Sequence, residues 1–215
     1  MIITELRDDR SEKIRYDYAD YPIYIKRALL SSYPNYAAPA HWHDDIEMTI
    51  ILSGEMQYNV NQEIVTLREN EAILVNARQL HFGFSTKKIE CDFICVLLHP
   101  LILCANYAYE RDFVLPILSS HNVTFVKLTD DAEWQRRILG NIKLIYSYRE
   151  KETAPLKIQS VFSDIWLQLY ENIALEDHPS KQNTDLSVIK KMIGFIQQNY
   201  TVKISLADIA AAGAA

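Results

Sequence analysis

Residues 41–54, HWHDDIEMTIILSG, concentrate side chains capable of chemistry. His41 and His43 stand two apart, Glu47 follows four residues later, and Gly54 closes the run. In an extended strand, side chains two apart project from one face. His41 and His43 then point together, and Glu47 joins them where the register carries through Asp44 and Asp45. A second segment, NEAILVNARQLHFGFS at 70–85, supplies His81 from a separate strand. Three imidazoles and one carboxylate converging inside a small barrel would bind a divalent ion such as Zn, Fe, Mn or Ni. The same four side chains could instead hydrogen-bond to one another or line a metal-free pocket for an organic ligand. Trp42 and Tyr58 are placed either to line that pocket or to pack as ordinary strand aromatics. Arg78 falls at the expected barrel mouth, where its guanidinium either grips a carboxylate or phosphate or faces water on a turn. The start YDYADYPIYI, at 16–25, forms either a flap over the barrel or a packed strand. His99, His121 and His178 have no partner at ligand spacing.

The elements that position these residues read as β up to about residue 128. Short runs rich in Ile, Val, Tyr, Phe and Thr recur at 21–30, 47–52, 56–60, 63–67, 72–75, 81–84, 90–97 and 123–128. Their breaks include Ser53-Gly54, Asn61-Gln62 and residues 76–79. Many short strands at this spacing point to a sandwich or barrel, with a short helix after His99-Pro100. A helical pair follows at 129–175. Asp130 and Glu133 are spaced as a capping box, and Trp134, Ile138, Ile142 and Ile145 follow at helical intervals. Thr153 is placed to cap a second helix, with Pro155 in its first turn. The apolar face of that helix runs through Leu156, Val161, Ile165, Leu169 and Ile173, widened by Phe162, Trp166 and Tyr170. So broad a face suits either a hairpin packed on the barrel or a homodimer interface. Residues 176–185, EDHPSKQNTD, read as a linker. Beyond them, Ile189, Met192, Ile193 and Ile196 predict a helix over 186–199. Ser205 with Asp208 then caps another over 206–212.

The 215 residues suffice for one good core plus a smaller unit. Basic and acidic side chains number 22 and 28, a net charge of −6. The acidic excess lies ahead of residue 186, after which Lys190, Lys191 and Lys203 outnumber Asp208. Phosphate backbones are bound by Lys and Arg, so any contact with nucleic acid belongs at or beyond the C-terminal end. No run nears the roughly 18 apolar residues that span a bilayer. The N-terminus has no apolar stretch behind a basic start, so it is not read as a secretory signal. Cys91, Cys95 and Cys104 match no metal or redox spacing, as expected of thiols in a reducing cytoplasm.

The spacing His-x-His-x3-Glu-x6-Gly resembles the first cupin motif. The second, Gly-x5-Pro-x-Gly-x2-His-x3-Asn, keeps its spacing but changes most identities. Asn70 and Arg78 stand for its glycines, Asn76 for its proline, His81 for its histidine and Ser85 for its asparagine. The C-terminal stretch IKKMIGFIQQNYTVKISLADIA is similar to the opening of the DNA-binding domain of AraC/XylS-type regulators. The order of zones matches that family's plan of cupin sensor, helical dimerisation segment, linker and helix-turn-helix units. The resemblance implies a cupin-type double-stranded β-helix barrel over 1–128 and dimerisation helices over 129–175. A linker at 176–185 and the start of a helix-turn-helix domain at 186–215 would follow. Residues 206–212 correspond to its first helix and Gly213 to the turn, so the recognition helix is expected outside this sequence. Sequence-specific DNA binding is then expected of a full-length parent, with a small-molecule effector held in the barrel. The alternative is a metal-dependent cupin enzyme, a dioxygenase or isomerase, using His41, His43, Glu47 and His81.

Overall fold

Residues 46–60 form one continuous strand in the computed structural model, where the sequence predicts two strands broken at Ser53-Gly54. The register shifts between Ile51 and Ser53, and Gly54 adopts φ +83°. This bulge bends the strand from one layer into the other without ending it. A Cβ at position 54 would overlap the carbonyl oxygen of Glu90, so the site requires glycine for space as well as for conformation.

The structure describes residues 4–173, positions 192, 195, 196 and 199, and residues 203–214. Its strands are β1 (Ile23–Leu29), β2 (Ile46–Val60), β3 (Glu63–Arg68), β4 (Ala72–Val75), β5 (His81–Phe84), β6 (Cys91–Leu98) and β7 (Phe125–Leu128). All pairings between them are antiparallel. The larger layer runs β1-β6-β2-β4-β7, while β3 and β5 flank the far half of β2. Strand alternation gives the larger layer two apolar faces. Ile46, Met48 and Ile50 face a core shared with the helices, together with Ile23, Val96 and Leu98. Ile51, Ile73, Val75 and Phe93 face inward, where they meet Met56, Tyr58 and Leu67. The result is a cupin-type antiparallel β fold followed by helices, as expected.

After β6, short helical turns at Pro100–Leu103, Tyr107–Tyr109, Glu110–Val114 and Leu115–Leu118 lead into β7. Two longer helices follow, α1 (Glu133–Tyr148) and α2 (Ala154–Asn172). They pack antiparallel. Lys157 sits over the Tyr148 ring near their connection, and Arg137 pairs with Asp164 further along. Ile138, Ile142 and Ile145 of α1 and Ile158, Phe162, Ile165 and Leu169 of α2 are fully buried in one cluster with the sheet. The Trp166 indole N–H donates to the Phe113 carbonyl at 2.8 Å. The broad face of α2 is thus occupied by α1, the sheet and the short turns.

Three local expectations are corrected. The capping box at Asp130 and Glu133 does not form, because Ala132 is extended and α1 begins only at Glu133. Gln135 instead accepts the Thr129 backbone N–H at 2.7 Å. Thr153 precedes α2, but its side chain caps nothing. Leu156 is 70% exposed, and Ala154 and Ile158 hold the buried positions in its place.

The chain divides into two compact units, 1–175 and 176–215. In the second, α3 (Leu206–Ala214) has the expected capping box. Ser205 N–H donates to Asp208 Oδ2 at 2.9 Å, and Asp208 N–H donates to Ser205 Oγ at 3.2 Å. The helix runs on through Gly213, where a turn was expected. The predicted linker at 176–185 lies outside the described residues. So does the helix predicted over 186–199, apart from four positions, which are helical. Among the described residues, no helix is long and apolar enough to cross a membrane.

Candidate functional site

Backbone pairing brings the four chemically distinctive side chains together. His41 and His81 exchange backbone hydrogen bonds at 3.1 and 2.9 Å, which sets residue 41 beside the start of β5. His43 follows on the same face, and after a bend at Asp44-Asp45 the inward face of β2 presents Glu47. All four side chains are buried. The imidazole centroids lie 4.5 Å (His41–His81), 4.9 Å (His43–His81) and 5.7 Å (His41–His43) apart.

The hydrogen bonds fix which ring nitrogen faces inward. Nδ1 of His41 lies 2.9 Å from the Pro39 carbonyl, that of His43 3.1 Å from the Asp45 carbonyl, and that of His81 2.8 Å from the Gln79 carbonyl. A carbonyl only accepts, so each Nδ1 carries the proton and donates it. The Nε2 atoms of His43 and His81 then face Glu47 Oε2 at 3.4 and 3.1 Å. Two lone-pair-bearing atoms at that separation repel unless a proton or a cation lies between them. Backbone-anchored Nδ1–H groups with inward Nε2 atoms are the arrangement of metal-ligating histidines.

The electrostatics reflect this crowding. Burial opposes charge on Glu47, but the facing His81 and His43 outweigh it and hold the carboxyl well below its usual value. Burial also works against charge on His43, yet its hydrogen bond to Glu47 keeps that imidazole above its usual value. Burial, with His81 alongside, pushes His41 down to about 4.

The donor set fits a divalent metal. One ligand atom from each of His41, His43, Glu47 and His81 lies within 4.8 Å of the others. Donors about 2.1 Å from one ion stand at most about 4.2 Å apart, so small side-chain adjustments would close the set. An ion held there would supply positive charge and a place for a ligand to coordinate.

Beside the cluster lies a cavity of about 60 Å³, lined by His41 and Glu47 and by Tyr24, Tyr33, Tyr58 and Cys95, among others. That is room for several water molecules or a small organic molecule. Tyr58 both lines the cavity and packs in the barrel core, its hydroxyl donating to Glu47 Oε1. Trp42 does not line the cavity. It alternates with His41 and His43, so it faces the other way, and its indole N–H donates to the Asp9 carbonyl at 2.9 Å. Arg78 is also outside. Its backbone N–H donates to the His43 carbonyl, while its exposed guanidinium pairs with Asp44 at 2.6 Å. Asn70 and Arg78 adopt φ +64° and +65°, so the left-handed turns occur where the second cupin motif has glycine. Asn76 is buried and donates to the Ile117 and Val123 carbonyls, tying the end of β4 to the segment before β7. Cys91, Cys95 and Cys104 form no disulfide with one another.

Sequence reasoning missed Glu12 and Thr49. Glu12 Oε2 lies 3.5 Å from His41 Nε2 and lines the cavity, and burial raises its pKa above the usual carboxylate value. It comes from an irregular segment with no period to reveal it. Thr49 was legible, since it shares the inward face of β2 with Glu47.

Comparison with known proteins agrees with this fold. Residues 30–97 match the cupin domain family. The chain is 25% identical over 196 residues to YdeC, an HTH-type transcriptional regulator of Bacillus subtilis (strain 168), covering 90% of this chain and 67% of that one. It is 19% identical over 198 residues to the melibiose operon regulatory protein of Escherichia coli (strain K12), covering 88% and 64%. An apo ToxT structure from Vibrio cholerae strain SCE256 superposes with a TM-score of 0.51 at 14% identity, covering 92% of this chain and 71% of that one. The barrel is therefore a cupin domain. The chain carrying it is similar to these named transcriptional regulators over about nine-tenths of its length, in keeping with the AraC/XylS-type resemblance of its sequence. It spans about two thirds of the length of the curated relatives it matches.

Proposed function

We propose that this chain is the effector-sensing and dimerisation region of an AraC-type, cytoplasmic transcription regulator, with a divalent metal at the floor of its sensor cavity. One observation carries the sensor reading: a cavity inside a cupin barrel is lined by His41 and Glu47, two of four buried, converging side chains that could ligate an ion. The similarity to helix-turn-helix regulators extends over nine-tenths of the chain and favours sensing over turnover. The ion would be held by His41, His43, Glu47 and His81, and a small-molecule effector would occupy the adjoining cavity. Exposed Leu144 of α1 and Leu156 and Leu167 of α2 leave apolar surface for a homodimer contact between helical pairs. DNA would be bound by the longer parent protein. The effector would act by favouring one of two arrangements of sensor and DNA-binding domains, which requires different affinity for each.

A small-molecule thermal-shift screen on the chain, followed by DNA-binding measurements on the longer protein, tests this. A ligand that raises the melting temperature should also change DNA affinity, and Ala28→Phe, which fills the cavity, should abolish both effects. Conversion of the ligand to a product, or tight binding with DNA affinity unchanged, would contradict the reading.

A further inference from the structure

We propose that Tyr58 and Thr49 are positioning residues that make Glu47 bind an ion through one oxygen only. The inference rests on the metal reading above. The two carboxylate oxygens of Glu47 have different partners. Oε1 accepts the Thr49 hydroxyl at 3.0 Å and the Tyr58 hydroxyl, whereas Oε2 faces His43 and His81. Two hydroxyl donors occupy the lone pairs of Oε1. Turning that oxygen toward an ion would take from two buried hydroxyls the carboxylate acceptor they share.

The donors are held independently of the bond they make. Thr49 is fixed by its place on β2, two residues from Glu47, and its β-branched side chain has few rotamers. Tyr58 reaches in from the far half of the same strand, beyond the bulge. Its ring lies nearly parallel to that of His81, with centroids 6.1 Å apart. It also packs on Gly83, where a Cβ would come within 3.2 Å of a ring carbon. The phenol position is therefore set by ring packing, and the carboxylate is oriented to suit it. An ion at the site receives three imidazole nitrogens and one carboxylate oxygen, and more of its coordination shell is left to a ligand from the cavity than a two-oxygen grip by Glu47 would allow.

Infrared difference spectroscopy of the full chain with and without Zn²⁺ tests this, with zinc affinity measured alongside. Carboxylate bands that shift on zinc addition and vanish in Glu47→Gln belong to Glu47. In the wild type they should show the wide splitting of a one-oxygen ligand. In Tyr58→Phe and Thr49→Val the splitting should narrow toward a two-oxygen ligand, and zinc affinity should fall about 10- to 100-fold. Thr49→Ser, which restores the hydroxyl, should recover the wild-type spectrum. If Tyr58→Phe fails to fold, the threonine pair carries the same test. Wild-type splitting and affinity in the hydroxyl-deleted variants, or narrow splitting in the wild type, overturns the proposal while leaving the metal reading intact. Failure of the wild type to take up zinc overturns both.

Discussion

His41, His43 and His81 each commit their Nδ1–H to a backbone carbonyl, which leaves three Nε2 atoms turned inward around one carboxylate. Protons and a metal ion compete for those nitrogens. The hydrogen bond to Glu47 holds His43 above its ordinary value, so the competing proton binds there more tightly than to a free imidazole. The sign follows: zinc affinity is greatest at alkaline pH and falls with acidification, starting above pH 6.5, the unperturbed histidine value. Each displaced proton weakens binding by up to about tenfold per pH unit. Calorimetric zinc titrations at pH 8 and pH 6 should show the drop, and equal affinities would argue against zinc on these nitrogens. At this scale the sequence was most informative about the four clustered side chains and least about their neighbours. His81 was legible because the spacing of the second cupin motif survives where its identities do not. Glu12 was not, because it reaches His41 through a pairing of irregular segments. Of the two readings open for Arg78, the structure has the arginine facing water on a turn, because its left-handed backbone directs the side chain toward Asp44 and solvent.

Among the elements, β2 links the two layers and carries Glu47 and Thr49 on one side of its bulge and Tyr58 on the other. Gly54 makes that possible, and reading it as a turn was the main error in the predicted strands. Glycine signals a left-handed residue, but a turn and a bulge both use one. Only the tertiary fold distinguishes them. Gly54→Ala forces a Cβ against the Glu90 carbonyl at φ +83°, and should destabilise the fold by about 1–3 kcal/mol. Urea unfolding measures this, and the bend it introduces should also weaken zinc binding. An unchanged midpoint would contradict the assigned role of the bulge. The capping boxes give a second comparison. Ser205 and Asp208 meet as the pattern requires, but Asp130 and Glu133 do not, because Gln135 takes the Thr129 N–H and shifts the helix start.

For the whole molecule, the barrel and the helical pair are not separable bodies. α1 and α2 share the core on one face of the larger layer, and the cavity lies against its other face. Strand alternation explains how one sheet serves both, with Ile46, Met48 and Ile50 toward the helices and Glu47, Thr49 and Ile51 toward the barrel. A change at the cluster is thus one layer of side chains away from the helices proposed to dimerise. The succession of strands and then a helical pair was legible because each has its own hydrophobic period. The shared core was not, since periodicity shows that a face is buried but not what buries it. The account depends on an ion at the cluster, and native mass spectrometry of the chain, purified without chelators or a metal-affinity tag, tests that most directly. It predicts close to one divalent ion per chain, lost in His43→Ala and His81→Ala. Metal content near zero in the wild type, or unchanged in both variants, would contradict it.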